Sequence, residues 1–344
     1  MSFTLLMSIP SQKSQGQTHL LFVFLIIGLI VLVIGSLEWL PLLKKEPSSP
    51  YVITETGTSS FPRELRDAAG NTLIIPSRPQ RIVSQTLATD EILLAICPLE
   101  RIAAVTTLAR DEKYSNVVEE ARTIGQVGEH VEQILGLNPD LIFVANYNRA
   151  ETVELLQTTG APVFRFAHFR NVADIKNNIK VIGYAIGEEQ RAAAIVAQME
   201  RDIKAIRASI PADAERLRVM SYSLGNYTAG RYTTFDNIVN IVGAINVATE
   251  HGIEQHAKIS DEQILVWQPD FIVTHAAQGE FAQVRRQLLE NPAIAASEAG
   301  KAGRIIVIDN RYFLSVSHYV VYGIKRLAEK LWSPNFSLAV PSKL

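Results

Sequence analysis

The chain has 344 residues, more than one ordinary hydrophobic core organises and enough for two domains of typical size. Apolar residues make up 47% and charged residues 20%, which excludes a disordered chain, and a net charge of −2 gives no reason to expect nucleic acid as a partner. A single cysteine, Cys97, excludes an internal disulfide and any multi-thiolate metal site; within the apolar run "EILLAICPL" it reads as a buried structural thiol.

Residues 1–19 read as a tail. Residues 20–37, "LLFVFLIIGLIVLVIGSL", carry no charge. At about 1.5 Å per residue they just reach across a hydrocarbon core, and Trp39 suits the interface. The segment 20–43 is therefore predicted as a transmembrane helix or signal segment. Its length and the lack of an A-x-A-like site favour an uncleaved anchor over a cleaved signal. Lys13 precedes the span while Lys44 and Lys45 follow it, so the positive-inside rule alone puts the body in the cytoplasm. Residues 44–60, "KKEPSSPYVITETGTSS", read as a polar linker to a body that starts near Phe61.

From there short β-branched runs alternate with helical patterns. Strands are predicted at 81–85, 102–107, 141–146, 162–167, 217–223, 271–276 and 304–309, and helices at 88–96, 148–160 and 235–245. Such alternation predicts parallel sheets with helices on both faces. Residues 171–210 keep a helical period almost throughout, with Gly187 the only break, and divide the strands into four before and three after. The predicted fold is α/β, with two Rossmann-like lobes, 61–170 and 211–332. One long interdomain helix, 171–210, joins them, a ligand cleft lies between them, and 333–344 form a tail.

One sentence recurs. "VEQILGLNPDLIFV" begins at Val131 and "DEQILVWQPDFIVT" at Asp261. Each predicts a helix, a Pro-Asp turn and a buried strand, and Ser260 with Gln263 completes a capping box in the second copy. Glu132 and Glu262 then fall in the first helical turn. There a carboxylate complements the helix dipole by about 0.3–1 kcal/mol. Two matched acidic knobs also suit a two-fold symmetric, Arg-bearing partner.

Residues 66–96, "RDAAGNTLIIPSRPQRIVSQTLATDEILLAI", resemble the opening of class III periplasmic substrate-binding proteins of ABC transporters. Asp67, Gly70, Ile75, Pro76, Pro79, Arg81, Ile82, Val83, Ser84, Glu91, Ile92 and Leu93 match the family pattern, with Asp90 in place of the usual Thr. "TIGQVGEHVEQILGLNPDLIF" and "FDNIVNIVGAINVA" resemble further family segments, the latter with Ala244 where a second Gly is usual. The resemblance covers roughly residues 63–332. It implies a binder of ferric siderophores, vitamin B12 or haem that holds its ligand without a cofactor of its own. It also implies docking on a dimeric permease through Glu132 and Glu262, with the globular part in the periplasm or outside the cell. The lipobox cysteine or cleaved signal usual in the family has no counterpart here.

In open α/β sheets ligands sit beyond the carboxyl ends of the strands. The candidate ligand residues are therefore Gln85, Thr86, Arg110, Tyr147, Arg149 and His168 in the first lobe. In the second they are Tyr227, Arg231, Tyr232, His275, Arg311 and Tyr312, and Thr107, Asn146, Tyr222 and Asn310 belong to the same set. Arg and Tyr suit a flat, anionic, partly aromatic ligand, and a ferric siderophore is the expected cargo. No metal site is expected; His168, His275 and Asp309 are the weaker alternative. No G-x-S-x-G, Walker A, H-E-x-x-H or post-strand G-x-G-x-x-G motif occurs, so no enzyme is predicted.

Overall fold

The computed structural model describes residues 52–53 and 60–332, apart from Ala68 and Ala214. The expected anchor over 20–37 and the tails 1–19 and 333–344 lie outside the described residues. Among those described, no helix is long and apolar enough to cross a membrane.

Part of the expected linker is structured. β1 (Val52–Ile53) pairs antiparallel with β2 (Arg63–Arg66), which pairs with β3 (Thr72–Ile75). Two β-branched residues suffice to extend the hairpin. The Asp67 carboxylate closes the β2–β3 turn by accepting the Ala69 and Asn71 N–H groups at 2.9 and 2.8 Å, and Gly70 takes the positive φ.

The first lobe runs β4 (Ile82–Ser84), α1 (Leu87–Ile96), β5 (Ile102–Thr106), α2 (Val118–Ala121), β6 (Gln126–Val127), α3 (Val131–Gly136), β7 (Leu141–Ala145), α4 (Ala150–Thr158) and β8 (Val163–Phe166). Its five strands form a parallel sheet in the order β6-β5-β4-β7-β8. Every residue of β7 is buried, the mark of a strand covered on both faces. The chain leaves β4 toward one edge and returns at β7 toward the other, so the crevice beyond β4 and β7 is the topological switch point.

The segment 171–210 is not one long interdomain helix. α5 (Val172–Ile186) ends at Gly187, which adopts a left-handed φ of 75°, and α6 (Glu189–Ala208) follows. The Gly187 and Glu188 N–H groups return to the carbonyls of Tyr184 and Gly183, a left-handed cap that helical periodicity on either side conceals. The chain folds back into a helical hairpin, and Lys176 on α5 meets Glu200 on α6 at 2.8 Å. A Cβ on Gly183 would stand 2.4 Å from that of Ala192, so the glycine is what lets the two helices touch. Only α6 carries the chain into the second lobe.

That lobe runs β9 (Arg218–Ser221), β10 (Tyr227–Ala229), α7 (Thr234–Ile241), β11 (Ile245–Asn246), α8 (Val247–Glu250), β12 (His256–Lys258), α9 (Asp261–Trp267) and β13 (Phe271–Ala276). It continues through α10 (Phe281–Leu289), α11 (Pro292–Ala296), α12 (Glu298–Lys301), β14 (Ile305–Asp309), α13 (Asn310–Phe313) and α14 (Val320–Trp332). A parallel sheet has the order β11-β9-β13-β14, and β10 and β12 form a separate antiparallel pair.

The repeated sentence is a buckle at the amino-terminal edge of each sheet. Both helices, α3 and α9, run into a left-handed residue, Asn138 (φ 48°) and Gln268 (φ 43°), ahead of Pro-Asp. Asp140 accepts the Arg81 N–H at 2.9 Å and Asp270 accepts that of Arg218 at 2.8 Å, just before β4 and β9. In return the Arg81 guanidinium donates to the Leu137 carbonyl at 2.8 Å, and Arg218 to that of Trp267 at 2.7 Å. Each sheet is thus stapled to its helix by the same two residue types.

Candidate ligand-binding cleft

Two adjoining cavities of about 390 and 340 Å³ lie at the carboxyl ends of the strands. Gln85, Thr86, Thr106, Thr107, Tyr147 and Asn148 line the first from the first lobe, and Arg311 from the second. Tyr222, Tyr227, Thr228, His256, His275 and Phe313 line the other. Residues 314–316, from the strap 314–317 between α13 and α14, line both and form their common wall.

Local chemistry fixes these side chains. Thr86 is the N-cap of α1, its hydroxyl accepting the Thr89 N–H. Asn148 bridges the switch point: its Oδ1 accepts the Ala145 N–H at 2.7 Å and its Nδ2 donates to the Gln85 carbonyl at 2.8 Å. His275, next to last in β13, has Nδ1 2.8 Å from Asn310 Oδ1 and its ring stacked on Phe313, centroids 5.0 Å apart. An imidazole whose Nδ1 is engaged by an amide oxygen keeps the Nε2 lone pair for another partner. The Arg311 guanidinium is closed on Asp309 at 2.7 Å, which raises its pKa, and on Gln278 at 3.2 Å. On the surface, Lys113 of the first lobe pairs with Glu280 of the second at 2.9 Å.

Beneath the first cavity lies a buried carboxylate. Glu91, on α1, lines it while only 2% exposed. Its Oε1 accepts the Asn116 N–H and Nδ2 at 3.1 and 2.8 Å, and its Oε2 accepts the Ser317 hydroxyl at 2.5 Å. Burial raises its pKa to about 7 despite these bonds.

Of the residues expected from sequence, Gln85, Thr86, Tyr147 and Arg311 line the first cavity, and Tyr227 and His275 the second. Arg110, Arg149, His168, Arg231, Tyr232 and Tyr312 line neither. Arg110 donates to the Ala121 and Ile124 carbonyls at 3.1 and 2.5 Å. Arg149 stands 4.0 Å from Glu129. His168 is half-buried, and burial followed by the neighbouring Arg170 lowers its pKa. Arg231 is tied through its backbone to Ile253 and Gln255, Tyr232 takes an exposed left-handed turn, and Tyr312 stacks on Tyr322 at 5.3 Å.

The alternative metal set does not assemble. Asp309 is held by Arg311 and His275 by Asn310, and among the described residues no group of three or more His, Cys, Asp or Glu could hold a metal ion. Sequence reasoning missed the strap and the role of Glu91. The only signal for the strap was its position two short steps beyond β14; Glu91 stood out only as part of a motif.

Glu132 and Glu262 are both exposed, in the first turns of α3 and α9. A hydrogen bond from Ser260 holds the Glu262 carboxyl below its usual range, so it stays ionised.

Residues 82–312 match the family described as periplasmic binding protein. The chain belongs to that family. This binding protein is 25% identical over 287 residues to the ABC transporter substrate-binding lipoprotein YvrC of Bacillus subtilis, covering 81% of this chain and 88% of the relative. It is 25% identical to a cobalamin-binding protein of Halobacterium salinarum, over 78% of this chain and 74% of the relative. Among solved structures, the apo periplasmic heme-binding protein RhuT of Roseiflexus sp. RS-1 superposes with a TM-score of 0.64 at 26% identity, over 73% of this chain and 97% of that one. The class III substrate-binding fold of ABC transporters implied by the motifs is therefore the fold of this binding protein, and the family binds solutes rather than converting them.

Proposed function

We propose that this chain is the extracytoplasmic solute-binding component of an ABC importer, that its cleft takes a corrinoid, and that it meets a permease dimer through Glu132 and Glu262. The observation that carries the cargo is electrostatic. Arg311 is the only arginine or lysine lining either cavity, and its charge is closed on Asp309. The rest of the polar lining is amides, hydroxyls and rings, Gln85, Asn148, Thr86, Thr107, Thr228, Tyr147 and Tyr227, with the imidazoles of His256 and His275 and two carboxylates, the buried Glu91 and the exposed Glu129, which repel an anion. Such a lining matches the amide-fringed, nearly uncharged rim of a corrin better than a ferric catecholate or an oxyanion, either of which needs an unpaired cation. The likeness to a cobalamin-binding relative supports this reading.

Haem is the second reading, favoured by His275, whose Nε2 is left available to a metal centre by the bond to Asn310. The siderophore expected from sequence finds no free guanidinium in either cavity, and it ranks third.

Absorbance titration of the full chain with cyanocobalamin, haemin and a ferric catecholate tests the cargo. Saturation by cyanocobalamin alone is expected. A Soret shift with haemin that His275→Ala abolishes, with no corrinoid binding, would replace the corrinoid by haem. For docking, Glu132→Ala with Glu262→Ala should leave probe affinity unchanged and reduce uptake at least tenfold. Equal loss of both would assign the two glutamates to the cleft.

A further inference from the structure

Glu91 is more deeply placed than a ligand contact requires, and its partners belong to different parts of the molecule. Asn116 comes from the first-lobe loop before α2, and its Nδ2 also donates to the Arg311 carbonyl at 3.0 Å. Ser317 comes from the end of the strap, 226 residues away in the chain. The Ser315 hydroxyl lies 3.1 Å from that of Ser317 and accepts the Ser317 N–H at 3.3 Å. One carboxylate therefore gathers α1, the 111–117 loop and the wall that separates the two cavities. Among the described residues, no other acid that lines either cavity bonds to the strap.

We infer that Glu91 is the latch of the cleft, a positioning residue that pins the 314–317 strap of the second lobe against the first and so sets the shape of both cavities. The buried network is strong because leaving any of its donors unpaired costs the full desolvation of that group. It is also responsive. In the latched state the Glu91 carboxyl is sealed from water, whereas release of the strap exposes it and returns it to the ordinary carboxylate range. Raising the pH through about 7 then favours release.

The charged and titratable surroundings agree with that direction. Asp90 on the same helix is also buried, and its pKa is raised by burial first and last by Glu91. From the strap side, Tyr319 stays protonated, its pKa raised by burial first and then by Glu91 and Glu120, and burial pushes the neighbouring His318 down to about 4. The Arg311 guanidinium, on the strap side, is turned to Asp309 rather than to Glu91. Among the described residues, the groups bonded to Glu91, Asn116 and Ser317, carry no charge.

Hydrogen–deuterium exchange of the ligand-free full chain, purified in detergent, tests the latch. After correction for intrinsic rates, amides of the 314–318 segment should exchange about tenfold faster at pH 8 than at pH 6, the shift a single proton allows. Glu91→Gln keeps the shape and removes the charge, so its strap should exchange at the same rate at both pH values. Ser317→Ala should exchange faster than the parent at both. Amides of α5, outside the strap, serve as the folding control and should not change. A pH-independent strap in the parent chain, or a Glu91→Gln strap that follows the parent, would overturn the latch. Only the bearing of the latch on solute exchange rests on the cleft being the solute site. A responsive strap in a protein that binds no probe would sink the cargo reading and leave the latch standing.

Discussion

Asp90 and Glu91 stand side by side on α1, both sealed from water, and burial raises each carboxyl to about 7. Asp90 faces the sheet, where the Thr106 N–H and hydroxyl donate to it at 3.2 and 2.5 Å. Its folded-state pKa lies above the unfolded value. The stability contributed by its protonated form is therefore complete below about pH 4 and lost as pH rises through about 7. Thermal unfolding should occur several degrees lower at pH 8 than at pH 5, and Asp90→Asn should flatten part of that decline. A variant that falls as steeply as the parent would mean that Asp90 is already ionised in the folded protein. The position is one where the family pattern has Thr, and the sequence displayed the departure without its consequence. That consequence needs the burial and the partner on β5, neither of which is local to the motif.

At the scale of elements, the α5–α6 hairpin depends on two glycines with different duties. Gly187 supplies a backbone conformation, so Gly187→Ala should cost about 1 kcal/mol. Gly183 supplies room, so Gly183→Val drives a side chain into Ala192 and should cost more, on the order of 1–3 kcal/mol. Chemical denaturation of both variants checks the order, and equal losses would contradict it. Residues 171–210 show how far periodicity carries. It located both helices, but a turn of two residues leaves the apolar spacing nearly intact, so the fold-back was invisible. The seven predicted strands all appear within a residue or two, because buried parallel strands are continuous apolar runs. β10 and β12, three residues each, have no such run to display. The arginines misled for a related reason. Arg110 follows β5 as expected, yet its guanidinium satisfies carbonyls of its own lobe, and a sequence does not show which carbonyls lack donors.

For the whole molecule, the two lobes are tied at several depths. Lys113–Glu280 joins the lobes on the surface, Asn116 and Glu91 hold the strap, and α6 packs against α14. The exposed Lys113–Glu280 pair is worth little in water and weakens with salt. The buried ties persist. Binding should therefore change the lobe separation by less than about 2 Å, the range of preorganised partners. Spin labels at Glu154→Cys and Gln283→Cys, both exposed and one in each lobe, would report it. A change of several ångströms on saturation with the cargo would show that α6 bends and the latch yields together.

The buckles carry a consequence for traffic at the membrane. Glu132 and Glu262 each ride on a short helix stapled to the base of its own sheet through Asp140–Arg81 and Asp270–Arg218, at the end remote from the strap and its latch. Whatever happens in the cleft, both carboxylates keep their height above the sheets. A transporter that reads only these two signals cannot distinguish a full carrier from an empty one. On the proposed docking, empty carriers would queue for the same dock as loaded ones, and uptake should slow as unloaded protein accumulates at the permease.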